Sequence, residues 1–244
     1  MPDPLFEPLH AGAFHFQNRI IMAPLTRCRA SAGRVPNAMM AEYYSQRASF
    51  GMILSEATSI SPLGVGYPNT PGIWSPDQVT GWKLVTQAVH RAGGIILLQL
   101  WHVGRISDPV YLDGQLPVAP SAIAAAGHVS LLRPMKEFVT PRSLTIDEIS
   151  SILLSYQCAA ENAKTAGFDG VEIHGANGYL LYQFLDPKQN HRTDDYGGSP
   201  ENNARFAKLV CARVRDCDCV WAGGPCLPQA RRGQGSRTRC APPV

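Results

Sequence analysis

No apolar run in this 244-residue chain approaches the roughly 20 residues that a helix needs to cross a bilayer, so no membrane partner is expected. The amino terminus, MPDPLFEPLHAG, has no basic stretch followed by an apolar core, and a secretory leader is not expected. Both absences point to a cytoplasmic protein whose thiols stay reduced. No G-x-G-x-x-G run follows an apolar segment, which withdraws support from a Rossmann domain. The seven cysteines form no C-x-x-C pair and have no histidine partners nearby, so no metal site is expected. Charge is modest at 17% beside 45% hydrophobic residues, the balance of an ordinary globular domain.

The net charge of +3 is unevenly held. Residues 207–244 carry Lys208 and six arginines against Asp216 and Asp218, a surplus of five positive charges. The first 206 residues, with 15 basic and 17 acidic side chains, stand at −2. Five cysteines (Cys211, Cys217, Cys219, Cys226 and Cys240) also fall in the last stretch, which fills with Arg, Gly, Pro and Gln and loses any period of 3.6 or 2. It lacks interleaved aromatics and a folded platform, so nucleic acid is not an expected partner. We expect one domain over residues 1–206 and a divergent basic tail over 207–244, either a disordered segment or the product of a reading frame lost near residue 210.

What is present before that point alternates strand and helix. Short apolar runs at Arg19–Ala23, Met52–Glu56, Gly94–Trp101 and Gly170–Ile173 read as strands. Between them, Asn37 leads into a helix that Gly51 ends. Ser75-Pro76-Asp77 opens a second helix, Thr145 and Glu148 stand in capping-box spacing before a third, and Ser199-Pro200 starts a fourth. Four βα units in sequence predict an α/β fold with a parallel, barrel-like sheet. Two long connections interrupt the pattern, a Gly- and Pro-rich loop over 57–74 and a proline-rich excursion over roughly 102–144; long loops in a compact domain tend to carry function.

Chemistry concentrates after the fourth strand. His174, Asn177 and Tyr179 are threaded between Gly175 and Gly178 at the carboxyl end of Gly170–Ile173, where a parallel barrel places catalytic groups. In a continuing strand His174 and Asn177 would point to opposite faces; in a turn an i, i+3 pair shares one side, and the glycines permit the turn. The two could then donate to one oxygen, with Tyr179 as a proton donor. A loop with ordinary polar decoration fits the same letters.

Over some thirty residues, HGANGYLLYQFLDPKQNHRTDDYGGSPENNARF resembles the signature of the Old Yellow Enzyme family of flavin-dependent ene reductases, which includes the 12-oxophytodienoate reductases. The resemblance extends over about residues 5 to 206. It implies the amino-terminal half of a TIM (β/α)8 barrel, about four βα units, followed by a tail foreign to the family. It further implies FMN, reduced by NADPH or NADH, and reduction of the C=C bond of α,β-unsaturated carbonyls. His174 and Asn177 match the family's carbonyl-binding pair and Tyr179 its proton donor. Pro24, Leu25 and Thr26 match a flavin-contacting PLT, Ala57 a small residue against the ring, and Gln99 the amide reading the pyrimidine edge; His174 also faces the flavin. Tyr67 and Trp101 match aromatic positions of the substrate pocket.

Other family features have no match here: an arginine on the fifth strand, and the loops after strands seven and eight that bind the cofactor phosphate. Asn203 stands where the family usually has arginine. Two expectations follow, an ene reductase or an inactive half-barrel without the phosphate site. Raw sheet edges would favour pairing of two copies.

Overall fold

The computed structural model describes residues 3–12 and 14–216. Of the tail expected over 207–244, residues 207–216 are helical rather than disordered, and the remainder, with its cysteines from Cys217 onward, lies outside the described residues.

An antiparallel hairpin, β1 (Leu9–Ala11) on β2 (Phe14–Phe16), precedes the sheet. β3 (Ile21–Met22) is followed by α1 (Ala38–Ser45), whose N-cap Asn37 accepts the Met40 N–H at 3.1 Å. The second expected strand, Met52–Glu56, is shorter, β4 (Met52–Leu54), and a further short strand, β5 (Thr58–Ser59), lies within the stretch expected as loop. Between them the Ser55 hydroxyl accepts the Gln99 N–H at 3.2 Å, so a side chain satisfies a backbone donor where the ladder breaks. α2 (Pro76–Arg91) then packs against α1. Its Ser75–Gln78 capping box forms in both directions, with Pro76 opening the first turn. Gly81 is required at the helix contact, because a Cβ there would meet the Pro36 carbonyl at 2.4 Å.

β6 (Ile96–Trp101) is the longest strand and is buried along nearly its whole length, the pattern of a parallel strand covered on both faces. The excursion after it carries a small parallel pair, β7 (Val118–Ala119) with β8 (Arg142–Ser143). α3 (Ile146–Thr165) begins with the expected capping box: Thr145 N–H to Glu148 Oε2 at 2.9 Å, and Glu148 N–H to Thr145 Oγ1 at 3.2 Å. β9 (Gly170–Ile173) leads to a short α4 (Leu180–Leu185) and then α5 (Pro200–Asp216).

The sheet is parallel throughout, with β3, then β4 and β5, then β6, then β9 as neighbours in chain order. β6 and β9 are in register from Leu97↔Gly170 to Leu100↔Ile173. Sequential parallel neighbours joined through helices are consecutive units of a (β/α)8 barrel. Among the described residues, β3 and β9 pair with no strand on their outer sides.

The core lies between sheet and helices, with Ile53, Ile96, Leu98 and Leu100 of the strands against Tyr44, Trp82, Tyr156 and Phe168. α5 belongs to it: Phe206, Val210 and Val214 are buried, and Phe206 stacks on Phe184 with ring centroids 4.3 Å apart. The division expected at residue 206 falls inside this helix, whose apolar spacing of four continues to Val214. Asn203, about one turn before Phe206, is 6% exposed and receives Asn190 Nδ2 at 3.4 Å.

Candidate active site

The carboxyl ends of the strands converge on the residues singled out from the sequence. His174 continues the ladder one step past β9, its N–H donating to the Leu100 carbonyl at 3.0 Å. The chain then turns away. Asn177 (φ 57°) and Gly178 (φ 76°) are both left-handed, a conformation that asparagine tolerates and glycine adopts freely. The turn replaces the strand period, and His174 and Asn177 line the same cavity of about 460 Å³. Pro24, Gln99, Glu172 and Ile173 complete most of its wall.

A second group of expected residues forms an aromatic cluster beside that cavity. Trp101 and Ala57 are buried and pack with Val103, and Tyr67 and Tyr179 lie against them. Trp101 stacks on His174 at 6.4 Å between centroids and meets Tyr179 edge-on at 5.0 Å. Tyr179 is also edge-on to His174 at 5.0 Å. The Tyr67 and Tyr179 hydroxyls are 2.9 Å apart. Leu25 and Thr26 differ from the others: both are exposed on the loop after β3, outside the lining of the cavity that Pro24 reaches.

Burial sets the proton chemistry. The His174 imidazole, half-buried, is held below its ordinary pKa because desolvation disfavours the cation. The Ala176 N–H approaches its Nδ1 at 3.4 Å, which makes Nδ1 the acceptor and leaves the proton of the neutral ring on Nε2. Burial also pushes the Tyr179 phenol well above its ordinary value, and the hydrogen bond to Tyr67 and that neighbour's charge add to the effect. Tyr179 therefore keeps its proton at any ordinary pH.

Three further residues stand in or beside the site. Glu172 lines the cavity and receives the Gln99 amide at 2.8 Å; a carboxylate inside the apolar run Gly170–Ile173 was the available signal. Gln183, fully buried on α4, donates to the carbonyls of Val103 at 3.0 Å and Gly178 at 2.8 Å and receives the Arg105 N–H. It ties the Asn177–Gly178 turn to the end of β6, and nothing in the sequence marks it. Glu56, buried between β4 and β5, titrates near 7 because desolvation outweighs the hydrogen bonds it receives.

Comparison with known proteins fits this arrangement. Residues 4–220 match the NADH:flavin oxidoreductase / NADH oxidase family. The chain is 50% identical over 219 residues to flavin oxidoreductase hxnT of Emericella nidulans, covering 88% of this chain and 56% of that protein. It is 48% identical over 213 residues to 12-oxophytodienoate reductase 1 of Oryza sativa subsp. japonica, covering 86% and 55%. Among solved structures, the old yellow enzyme homologue from Zymomonas mobilis superposes with a TM-score of 0.83 at 52% identity, covering 87% of this chain and 59% of that one. The chain thus spans little more than half the length of the relatives it matches.

Proposed function

Because the chain belongs to the NADH:flavin oxidoreductase / NADH oxidase family, we propose that it reduces the C=C bond of α,β-unsaturated carbonyls, using FMN and NADH or NADPH. The observation that carries this reading is that His174 and Asn177 line one cavity at the strand ends while Tyr179 packs edge-on against His174 beside it.

The residues present suit the ring of a flavin. A flat heterocycle with alternating donors and acceptors needs a side chain that can do both, and the Gln99 amide on the cavity wall does. Pro24 offers an apolar edge and the His174 imidazole a polar one. Ala57, small and buried beside Trp101, would leave room for a ring at the backbone. Thr26, exposed on its loop, would reach the ring edge through its hydroxyl, and Leu25 would contact the flavin through its backbone. Reduced FMN, when bound, supplies a hydride to the β-carbon of the enone.

The chain's own groups do the rest. Neutral His174 donates from Nε2 and Asn177 from its amide to the carbonyl oxygen. Charge on that oxygen grows as the enolate develops, so the two bonds strengthen toward the transition state. Tyr179 delivers its proton to the α-carbon. Its raised pKa keeps the donor protonated in the resting site. Tyr67 and Trp101 would flank the substrate as the aromatic walls of its pocket.

The test is direct. Purified protein incubated with FMN should turn yellow and oxidise NADH or NADPH with 2-cyclohexenone. His174→Ala and Asn177→Ala should each lose about 10²–10³-fold in kcat. Equal activity in both variants and the parent would remove the carbonyl-binding role.

The coverage of little more than half of each relative favours a second reading, in which this length of chain retains flavin only together with further strands. Colourless protein that gains flavin absorbance on adding the remaining strands of a relative would select it. Two copies pairing through the outer sides of β3 and β9 could serve the same end. Sedimentation would show them as a dimer.

A further inference from the structure

We propose that Glu56 is a positioning residue whose buried carboxyl grips the loop after β3 at Arg27 and Cys28 and so sets where Pro24, at the start of that loop, stands in the cavity wall. Glu56 is 1% exposed. Its Oε2 receives the Arg27 N–H at 3.1 Å, and its Oε1 receives the Tyr44 hydroxyl of α1 at 3.2 Å. The same Tyr44 oxygen accepts the Glu56 N–H at 2.8 Å, so the phenol clamps both ends of the residue. The Cys28 N–H adds a further hydrogen bond favouring the carboxylate. One carboxyl therefore joins α1, the break between β4 and β5, and the loop that begins at Pro24. An apolar side chain would leave the Arg27 N–H without this acceptor, and an amide offers one acceptor oxygen where the carboxylate offers two. A buried acid able to change charge costs stability unless the charge is used.

The groups facing this carboxyl are few. From α1 comes Tyr44, itself pushed well above its ordinary pKa by burial and by Glu56. From the loop come the Arg27 guanidinium and the Cys28 thiol, the latter raised by burial first, then by Glu56, with Arg29 and Arg34 opposing. Cys28 itself stands at φ 55°, a strained conformation for a side chain of its kind, held in place by these contacts. Burial raises Glu56 from 4.5 to about 7, so its charge changes in the range where the protein would work. Ionised, the carboxyl accepts the loop N–H groups as charge-assisted bonds, which are roughly twice as strong as neutral ones; protonated, it holds the loop more weakly. The loop grip stands on the geometry alone. Its service to catalysis rests on the flavin reading above.

The experiment separates the two. Alkylation of Cys28 by iodoacetamide, followed by peptide mass spectrometry, is measured from pH 5.5 to 9 in the parent and in Glu56→Gln. The ratio of variant to parent rates should be near one at pH 5.5, where both side chains are neutral. It should rise severalfold above pH 7, by about tenfold for each unit that the thiol's pKa falls. A ratio of one at every pH overturns the proposal, because the loop would then be indifferent to the carboxyl. Tyr44→Phe, which keeps the acid and removes one bond favouring its ionised form, should move the onset in its own profile to higher pH; an unmoved onset also overturns it. Flavin fluorescence quenching forms a separate arm, with FMN expected to bind Glu56→Gln severalfold more weakly at pH 8. Failure of both proteins to bind FMN would count against the flavin reading, while the thiol ratio would still decide the role of Glu56.

Discussion

Tyr67 and Tyr179 are 112 positions apart in sequence, yet their hydroxyls are 2.9 Å apart and both rings rest on Trp101. The Trp101 ring is the common floor: Tyr67 lies tilted on it at 5.2 Å and Tyr179 stands edge-on at 5.0 Å. The contact orients the proposed proton donor beside His174 and adds to burial in raising its pKa, so the phenol parts with its proton only to a strongly basic centre such as a developing carbanion.

Tyr179→Phe should therefore slow enone reduction while sparing reduction of the flavin by nicotinamide. A loss of about 10²–10⁴-fold in the oxidative half-reaction is expected from removing a positioned acid. Stopped-flow measurement of the two half-reactions separately checks this. An unchanged oxidative step would assign the proton to another source.

His102 gives the protein a specific acid sensitivity. It is fully buried, its Nδ1 receives the Gly104 N–H at 3.1 Å, and burial lowers its pKa from 6.5 to about 3. The unfolded chain takes up this proton near 6.5 and the folded chain only near 3, so stability falls as pH drops through that window. The loss is about 1.4 kcal/mol per pH unit for one such group. In His102→Asn, which keeps an acceptor for Gly104, that part of the slope should vanish. Urea unfolding midpoints at pH 7, 5 and 4 in parent and variant provide the measurement.

Gln183 closes the turn that carries Asn177. Gln183→Ala leaves the buried carbonyls of Val103 and Gly178 without its amide and should cost about 2–4 kcal/mol, as lost bonds to buried acceptors do. Gly104→Ala tests the same joint from the other side. Its Cβ would fall 2.1 Å from Gln183 Oε1 at a φ of 61°, so it should also lower the melting temperature. A variant pair that melts with the parent would show that the joint bears little.

Phe206→Ala should destabilise the chain by about 3–5 kcal/mol, the range for emptying a buried aromatic site. Truncation after residue 206 should lower the melting temperature further than truncation after 216, because Val210 and Val214 are buried in the same helix. Thermal melts of the two truncations compare them directly.

The sequence made the repeating architecture legible because it is written in local terms. Apolar runs of strand length, Ser75 and Thr145 at N-caps with Gln78 and Glu148 three residues on, and a glycine-permitted turn after Ile173 each act within a few residues, and each appears where expected. The end of the last helix was less legible. Its buried positions continue as Val210 and Val214 amid Arg and Cys, where composition hides the period.

By itself the sequence determined the order of strands and helices, the presence of His174, Asn177 and Tyr179 at one strand end, and the kinship of that stretch. Only the tertiary structure decided that Thr26 and Leu25 stand outside the cavity wall while Glu172 is in it, that Tyr67 reaches Tyr179, and that Glu56 faces the loop rather than water. The reason is range. Backbone periodicity and capping are fixed by neighbours in sequence, whereas the environment of a side chain, and hence its charge, depends on which distant segments exclude water from it.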